Sequence, residues 1–215
     1  VAQFAQTFDQ ARGGFGDAPK FPRPSELLFL LRETARTGDY APAFMVAKTL
    51  QAMSLGGMRD HVGGGFHRYA VDGNWRVPHF EKMLYDQAQI TLALLETYQL
   101  ASDPFLAEVA ADTLEYVLRE MTNPEGGFFS AEDADSVPPE EATNPGAHKT
   151  EGAFYLWTQT ELEALLKDDL DVFRVRFGIR PDGNAPEDPQ GEFKGRNLLY
   201  VAGSIEEVAA RTEKT

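Results

Sequence analysis

None of the 215 residues is cysteine. That excludes disulfides, a thiol nucleophile and a thiolate metal site within this chain. Basic residues are scarce: 20 Lys and Arg stand against 34 Asp and Glu, a net charge of -14. So acidic a chain is a poor partner for nucleic acid or for an anionic membrane surface. Apolar runs are short, and none approaches the ~20 residues that span a bilayer. A cytoplasmic protein with no membrane partner is the expectation. What remains is ordinary for a globular protein, 42% hydrophobic and 25% charged, and long enough for one substantial core. The whole of 1–215 reads as a single domain. Its opening, VAQFAQTFDQARGGFGD, reads as a helix already under way, and SIEEVAARTEKT as a freshly capped helix that stops. The expectation is a fragment of something longer.

Glycine, by contrast, is both plentiful and patterned. GGFG occupies Gly13 to Gly16, GGFH Gly64 to His67 and GGFF Gly126 to Phe129, with a looser EGAFY at Glu151 to Tyr155. The first three stand 51 and then 62 residues apart, and most of what lies between reads as helix pairs. Self-similarity of this kind marks a repeat architecture. Glycine also lets the chain turn sharply and lets backbone approach its neighbours closely.

The helices are marked by their ends. PSELLFLLRETART, Pro24 to Thr37, starts on proline and carries Leu27, Leu28, Leu30 and Leu31. APAFMVAKTLQAMSL stops at Gly56-Gly57, and PFLAEVAADTLEYVLREM runs from Pro104 to Met121. Thr158 to Gly178 reads as one further helix with a Thr158/Glu161 capping pattern, Thr160 being the alternative cap, and Ser204 caps the last. EFKGRNLLYVA is the one strand-like run, a short β segment near 190–201. The longest helix reads from Pro78 to Ala101. At 100° per residue, Phe80, Leu84, Ala88, Leu94, Leu95 and Tyr98 form its apolar arc. His79, Lys82, Asp86, Gln89, Glu96 and Thr97 share the opposite one. So apolar a helix is expected to be contacted on more than one side. The fold class is all-α.

The unusual chemistry is concentrated in HVGGGFHRYAVDGNWRVPHFEKMLYDQ, His61 to Gln87, which holds three of the four histidines. Histidine titrates nearest neutrality, so His61, His67 and His79 are acid/base or ligand-binding candidates. The alternative for His61 and His67 is hydrogen bonding to loop backbone. In the first turn of the long helix, His79 would be held neutral by the dipole and share a polar face with Lys82 and Asp86. Glu81 reads either as a helix cap or, if buried in a cavity, as a general acid. Downstream, FFSAEDADS offers Glu132, Asp133 and Asp135, carboxylates of the kind glycoside hydrolysis uses in pairs. Their alternative is a solvated loop. His79, Glu81, Asp86, Glu132, Asp133 and Asp135 are therefore the catalytic candidates. Asp17, Lys20, His61, His67, Arg68, Trp75, Lys82 and Tyr85 are those for substrate binding. Phe66, Tyr69, Trp75, Phe128, Tyr155 and Trp157 can stack on sugar rings or pack the hairpins together. No two histidines sit four apart on one helix, and no metal or cofactor is expected.

GGFGDAPKFPRPSELLFLLR, GGMRDHVGGGFHRYAVDGNWRVPHFEKMLYDQAQI, GGFFSAEDADS and EGAFYLWTQTEL resemble successive blocks of the spermatogenesis-associated protein 20 family, whose bacterial members are called thioredoxin-domain-containing proteins. The resemblance covers most of Gly13 to Tyr200. It implies a thioredoxin-like domain outside this chain and an α/α toroid similar to six-hairpin glycosidases and N-acylglucosamine 2-epimerases. This chain would carry the first three or four hairpins. A sugar-like small molecule becomes the expected ligand, with epimerase or isomerase chemistry favoured by the histidines and hydrolysis by the acidic loop. A non-catalytic glycan- or polypeptide-binding scaffold is the other reading. An incomplete toroid is expected to self-associate through apolar surface left uncovered along Pro78 to Ala101.

Overall fold

Pro24 and Gly38 bracket the first long helix in a computed structural model that describes residues 1–185 and 193–214. The chain divides into two compact units, Val1–Asp133 and Ala134–Thr215, where the sequence reads as one domain. No described helix is long and apolar enough to cross a membrane.

The first unit opens with α1 (Ala2–Thr7), α2 (Pro24–Thr37) and α3 (Ala41–Leu55). Pro24 presets the first turn of α2, and Gly38 ends it in the left-handed conformation with its N–H on Thr34 O. Leu27, Leu30, Leu31 and Thr34 recur at helical spacing and are buried. Three two-residue strands follow, β1 (Tyr69–Ala70), β2 (Pro78–His79) and β3 (Lys82–Met83), before α4 (Leu84–Ala101) and α5 (Pro104–Glu120). The Asp103 carboxylate caps α5 by accepting from Phe105 N. β4 (Ala131–Glu132) closes the unit, antiparallel to β3.

The long helix is shorter than its periodicity implies. Pro78 to Met83 is extended, because β2 pairs with β1 and β3 with β4; tertiary pairing overrides a helical pattern there. The buried face of α4 also differs from the expected arc. Asp86, Gln87, Ile90, Thr91, Ala93, Leu94 and Thr97 are buried, while Ala88 and Tyr98 are exposed. α4 packs on α5, α2 and α3, so it is contacted on several sides.

The Gly-Gly-Phe triplets form equivalent turns, each closed by the side chain that precedes it. Asp9 accepts from Ala11 N and Arg12 N, and Lys20 Nζ reaches both Asp9 (2.8 Å) and Gly13 O (2.9 Å). The second turn repeats this. Asp60 accepts from Val62 N and Gly63 N, and Lys82 Nζ reaches Asp60 (2.8 Å) and Gly64 O (2.9 Å). Both lysines are 1% exposed. In the third turn the bracket is neutral: Asn123 Oδ1 accepts from Glu125 N, and Asn123 O from Gly126 N. Gly65 shows why the triplet needs glycine, since its φ is +77° and a Cβ there would lie 2.5 Å from the Tyr116 ring. Gly65→Ala is expected to cost roughly 2–4 kcal/mol, strain and overpacking together. Gly127→Ala, at φ +80° with nothing within 4 Å, should cost about 1–2 kcal/mol, strain alone. Urea denaturation of the two variants checks the difference; equal losses would contradict it.

In the second unit β5 (Asp135–Ser136) pairs with β6 (Thr150–Glu151), followed by α6 (Gln159–Leu166), α7 (Leu170–Phe177) and α8 (Ile205–Thr212). Thr158 with Glu161, and Ser204 with Glu207, form the capping boxes. The single helix expected over Thr158 to Gly178 is two. They break at Lys167 (φ +47°) in a 3₁₀ turn, which lets Leu166 and Leu170 both pack on Leu162, Ile179 and Leu199. The expected β segment also fails to form. Residues 190–192 lie outside the described residues, and 193–201 contribute one isolated bridge, Asn197 with Trp157. The Asn184 amide bonds Leu198 N and O, standing in for a partner strand.

Candidate active site

Five of the expected residues come together on the β1–β2–β3 edge and the first turn of α4: Arg68, His79, Glu81, Tyr85 and Asp86. Their floor is rigid. The buried Gln87 side chain accepts from Phe66 N (2.8 Å) and donates to Phe66 O (2.7 Å), fixing the strand that leads to Arg68. Arg68 N donates to Glu81 O. Across that bond the Arg68 guanidinium holds the Glu81 carboxylate at 2.6 Å, with Tyr85 nearby. His79 Nε2 lies 3.9 Å from Glu81 Oε2. His79 stacks on Tyr69 at 5.0 Å, and Tyr69 on Phe21 at 4.6 Å.

Asp86 is the chemically distinctive member. It is 6% exposed, and its Oδ2 is buried with no hydrogen-bond partner. Burial pushes its carboxyl up to about 6; nearby Arg68 pulls it back and Glu81 adds to the rise. A carboxyl so placed exchanges its proton near neutrality, as a general acid or base must.

Several expected roles are corrected by the geometry. His79 sits in a strand, not in the first turn of a helix. Glu81 is paired with Arg68 instead of capping a helix. His67 is 2% exposed and donates Nδ1–H to Phe80 O; burial, reinforced by Lys82, lowers it to about 3 and keeps it neutral. His61 Nε2 bonds Gly56 O at 2.8 Å, the backbone role weighed for it. Lys20 and Lys82 are buried in their turns, so they hold the scaffold and do not reach ligand. Trp75 is fully buried, with Nε1 on Gly13 O, and Phe66 is likewise core. Trp157 packs in the second unit, Tyr155 lies edge-on to Phe154, and Phe128 is exposed. Asp17 stays on an exposed bend.

The acidic loop does not act as one group. Glu132 accepts from Tyr116 OH at 2.5 Å, Asp133 ends the first unit on an exposed position, and Asp135 belongs to the second, opposite Glu151. No three His, Asp or Glu side chains among the described residues are grouped to hold a metal ion. Asp60, Gln87 and Tyr116 were missed from sequence. Asp60 had a signal, since DQARGGF and DHVGGGF place aspartate four residues before the glycine pair both times.

The fold is shared with an enzyme of sugars. A crystal structure of a sugar epimerase from a ruminal bacterium superposes with a TM-score of 0.55, covering 79% of this chain and 46% of that one, at 16% identity. By sequence, the chain belongs to the spermatogenesis-associated protein 20 family. It is 43% identical to the human protein of that name and 42% to the mouse protein, over 97% of its length. An uncharacterized protein of Caenorhabditis elegans is 38% identical over 96%. The chain spans 28% of the human and mouse proteins, under a third of their length. No protein-family model matches the sequence.

Proposed function

We propose that this chain belongs to the first hairpins of an α/α toroid that binds a sugar derivative, and that its chemistry is proton transfer of the epimerase or isomerase kind. Asp86 is the proton-transferring group, with Arg68, His79, Glu81 and Tyr85 binding the sugar around it. The observation that carries this reading is the buried, unpartnered Asp86 carboxyl. Its Oδ2 gains no hydrogen bond from the packing, and burying a carboxyl without one costs the fold more than burying an apolar side chain of similar size. Hydrolysis is less well supported, because it needs two available carboxyl groups. Glu81 is engaged by Arg68 and Glu132 by Tyr116.

The test is a screen of the full-length parent protein against aldoses, ketoses and N-acylated amino sugars, following epimerisation by NMR. The wild type should turn over at least one sugar, and Asp86→Asn should bind that sugar without converting it. Binding without turnover by the wild type would favour the scaffold reading. Unchanged turnover by Asp86→Asn would sink the assignment of Asp86.

A further inference from the structure

A cavity of about 630 Å³ lies within the second unit, and every residue that lines it belongs to that unit. Asp171, Arg174 and Val175, spaced for one helix face, give it a wall from α7, and Arg211 and Thr212 come from α8. Ile179 and Tyr200, both 6% exposed, supply apolar surface. Four of the lining side chains are basic: Arg174, Arg180, Arg211 and Lys214. That is unexpected in so acidic a unit. Residues 134–215 hold nine Lys and Arg against sixteen Asp and Glu, and four of the nine meet here.

Structural roles account for these cations only in part. Arg174 and Arg211 stand in the last turns of α7 and α8, where positive charge complements the helix dipole. Arg180 lies past the end of α7, beyond that effect. Its N–H and C=O are both held by the buried Asn197 side chain, so its backbone is fixed at the cavity. Arg174 and Lys214 pair with Asp171 (3.6 Å) and Asp169 (3.1 Å), carboxylates 78% and 79% exposed. Pairs so exposed contribute little, and they yield to a ligand that engages several cations at once. Among the described residues no ion pair engages Arg180 or Arg211.

Asp168, Asp171 and Glu213 line the cavity too. The excess of positive charge is therefore small, and selectivity has to come from directed hydrogen bonds. The planar guanidinium fork matches phosphate oxygens, and three such forks offer more donors than one carboxylate accepts. The volume falls within the roughly 300–1,000 Å³ of small-molecule sites, well beyond a bare phosphate. We infer that this cavity binds a phosphorylated small molecule, its phosphate on Arg174, Arg180 and Arg211 and its organic body against Ile179 and Tyr200.

Calorimetric titration of the full-length protein with inorganic phosphate, phenyl phosphate and acetate tests this. Phenyl phosphate should bind several-fold more tightly than phosphate, and acetate not measurably. Arg180→Gln and Arg211→Gln should each weaken phenyl phosphate about tenfold without moving the unfolding midpoint. Arg180→Lys, which keeps the charge and loses the fork, should weaken it nearly as much. Absence of phenyl phosphate binding, an affinity no higher than that of phosphate, or equal binding of acetate would overturn the site. So would full affinity in either glutamine variant or in Arg180→Lys. Asp86 lies in the first unit, so none of these outcomes bears on the proton-transfer site.

Discussion

Lys82→Met is expected to destabilise the chain by about 3–5 kcal/mol, because it leaves a buried carboxylate without its cation. The side chain is 1% exposed, and its partner Asp60 10%. Burial works against the Asp60 carboxylate, but Lys82, above all, holds it below the ordinary carboxylate range. Methionine fills the space and removes the charge, so Asp60 keeps only the N–H groups of Val62 and Gly63. The ammonium 4.2 Å over the Tyr116 ring is lost as well. The sign with pH follows. A depressed folded-state carboxyl contributes stability above its ordinary value and loses it as pH falls, so the wild type's advantage over Lys82→Met should shrink in acid. The third turn predicts the remedy, because Asn123 already closes a Gly-Gly-Phe turn with a neutral amide. Asp60→Asn with Lys82→Met should recover more than half of the loss. Urea denaturation decides it: a loss under about 1 kcal/mol, or no recovery in the double variant, would contradict the bracket.

Asp86→Asn should lower turnover of the full-length protein by roughly 10²–10⁴, the range for removing a positioned acid or base, with sugar affinity held within a few-fold. The same substitution should raise stability near neutral pH, by about 1–3 kcal/mol. Asp86's folded-state value, about 6, lies above that of an ordinary aspartate. Its contribution to stability is therefore complete below the ordinary value and lost as pH rises through about 6. The asparagine variant should gain over the wild type across that window and show no gain in acid. Opposite movement of activity and stability distinguishes a functional carboxyl from a structural one, whose removal would lower both.

How far the residues announced this arrangement depends on what set each element. α2, α3 and α5 were legible because proline, glycine and aspartate mark their ends locally. Pro78 to Met83 was not, because its strands exist only through pairing with segments up to 50 residues away. That moved His79 into a strand and Glu81 into the link between β2 and β3, yet left Glu81 near Asp86 and His79 near Glu81. The buried face of α4 was misread for a related reason: Gln87 and Thr97 turn inward with their own hydrogen bonds, and Asp86 turns inward without one on its Oδ2, which a hydrophobic pattern does not register. The Gly-Gly-Phe repeat was visible, but the aspartate and distant lysine that complete it are joined only in three dimensions.

Asp86 is the centre of the proposed site, and its protonation can be read directly. A ¹³C NMR titration of Asp86, assigned by comparison with Asp86→Asn, should show a midpoint near 6, well above the chain's exposed aspartates. A midpoint at or below the ordinary aspartate value, near 4, would mean that Asp86 is a solvated or paired carboxylate, and would contradict the proton-transfer site built on it.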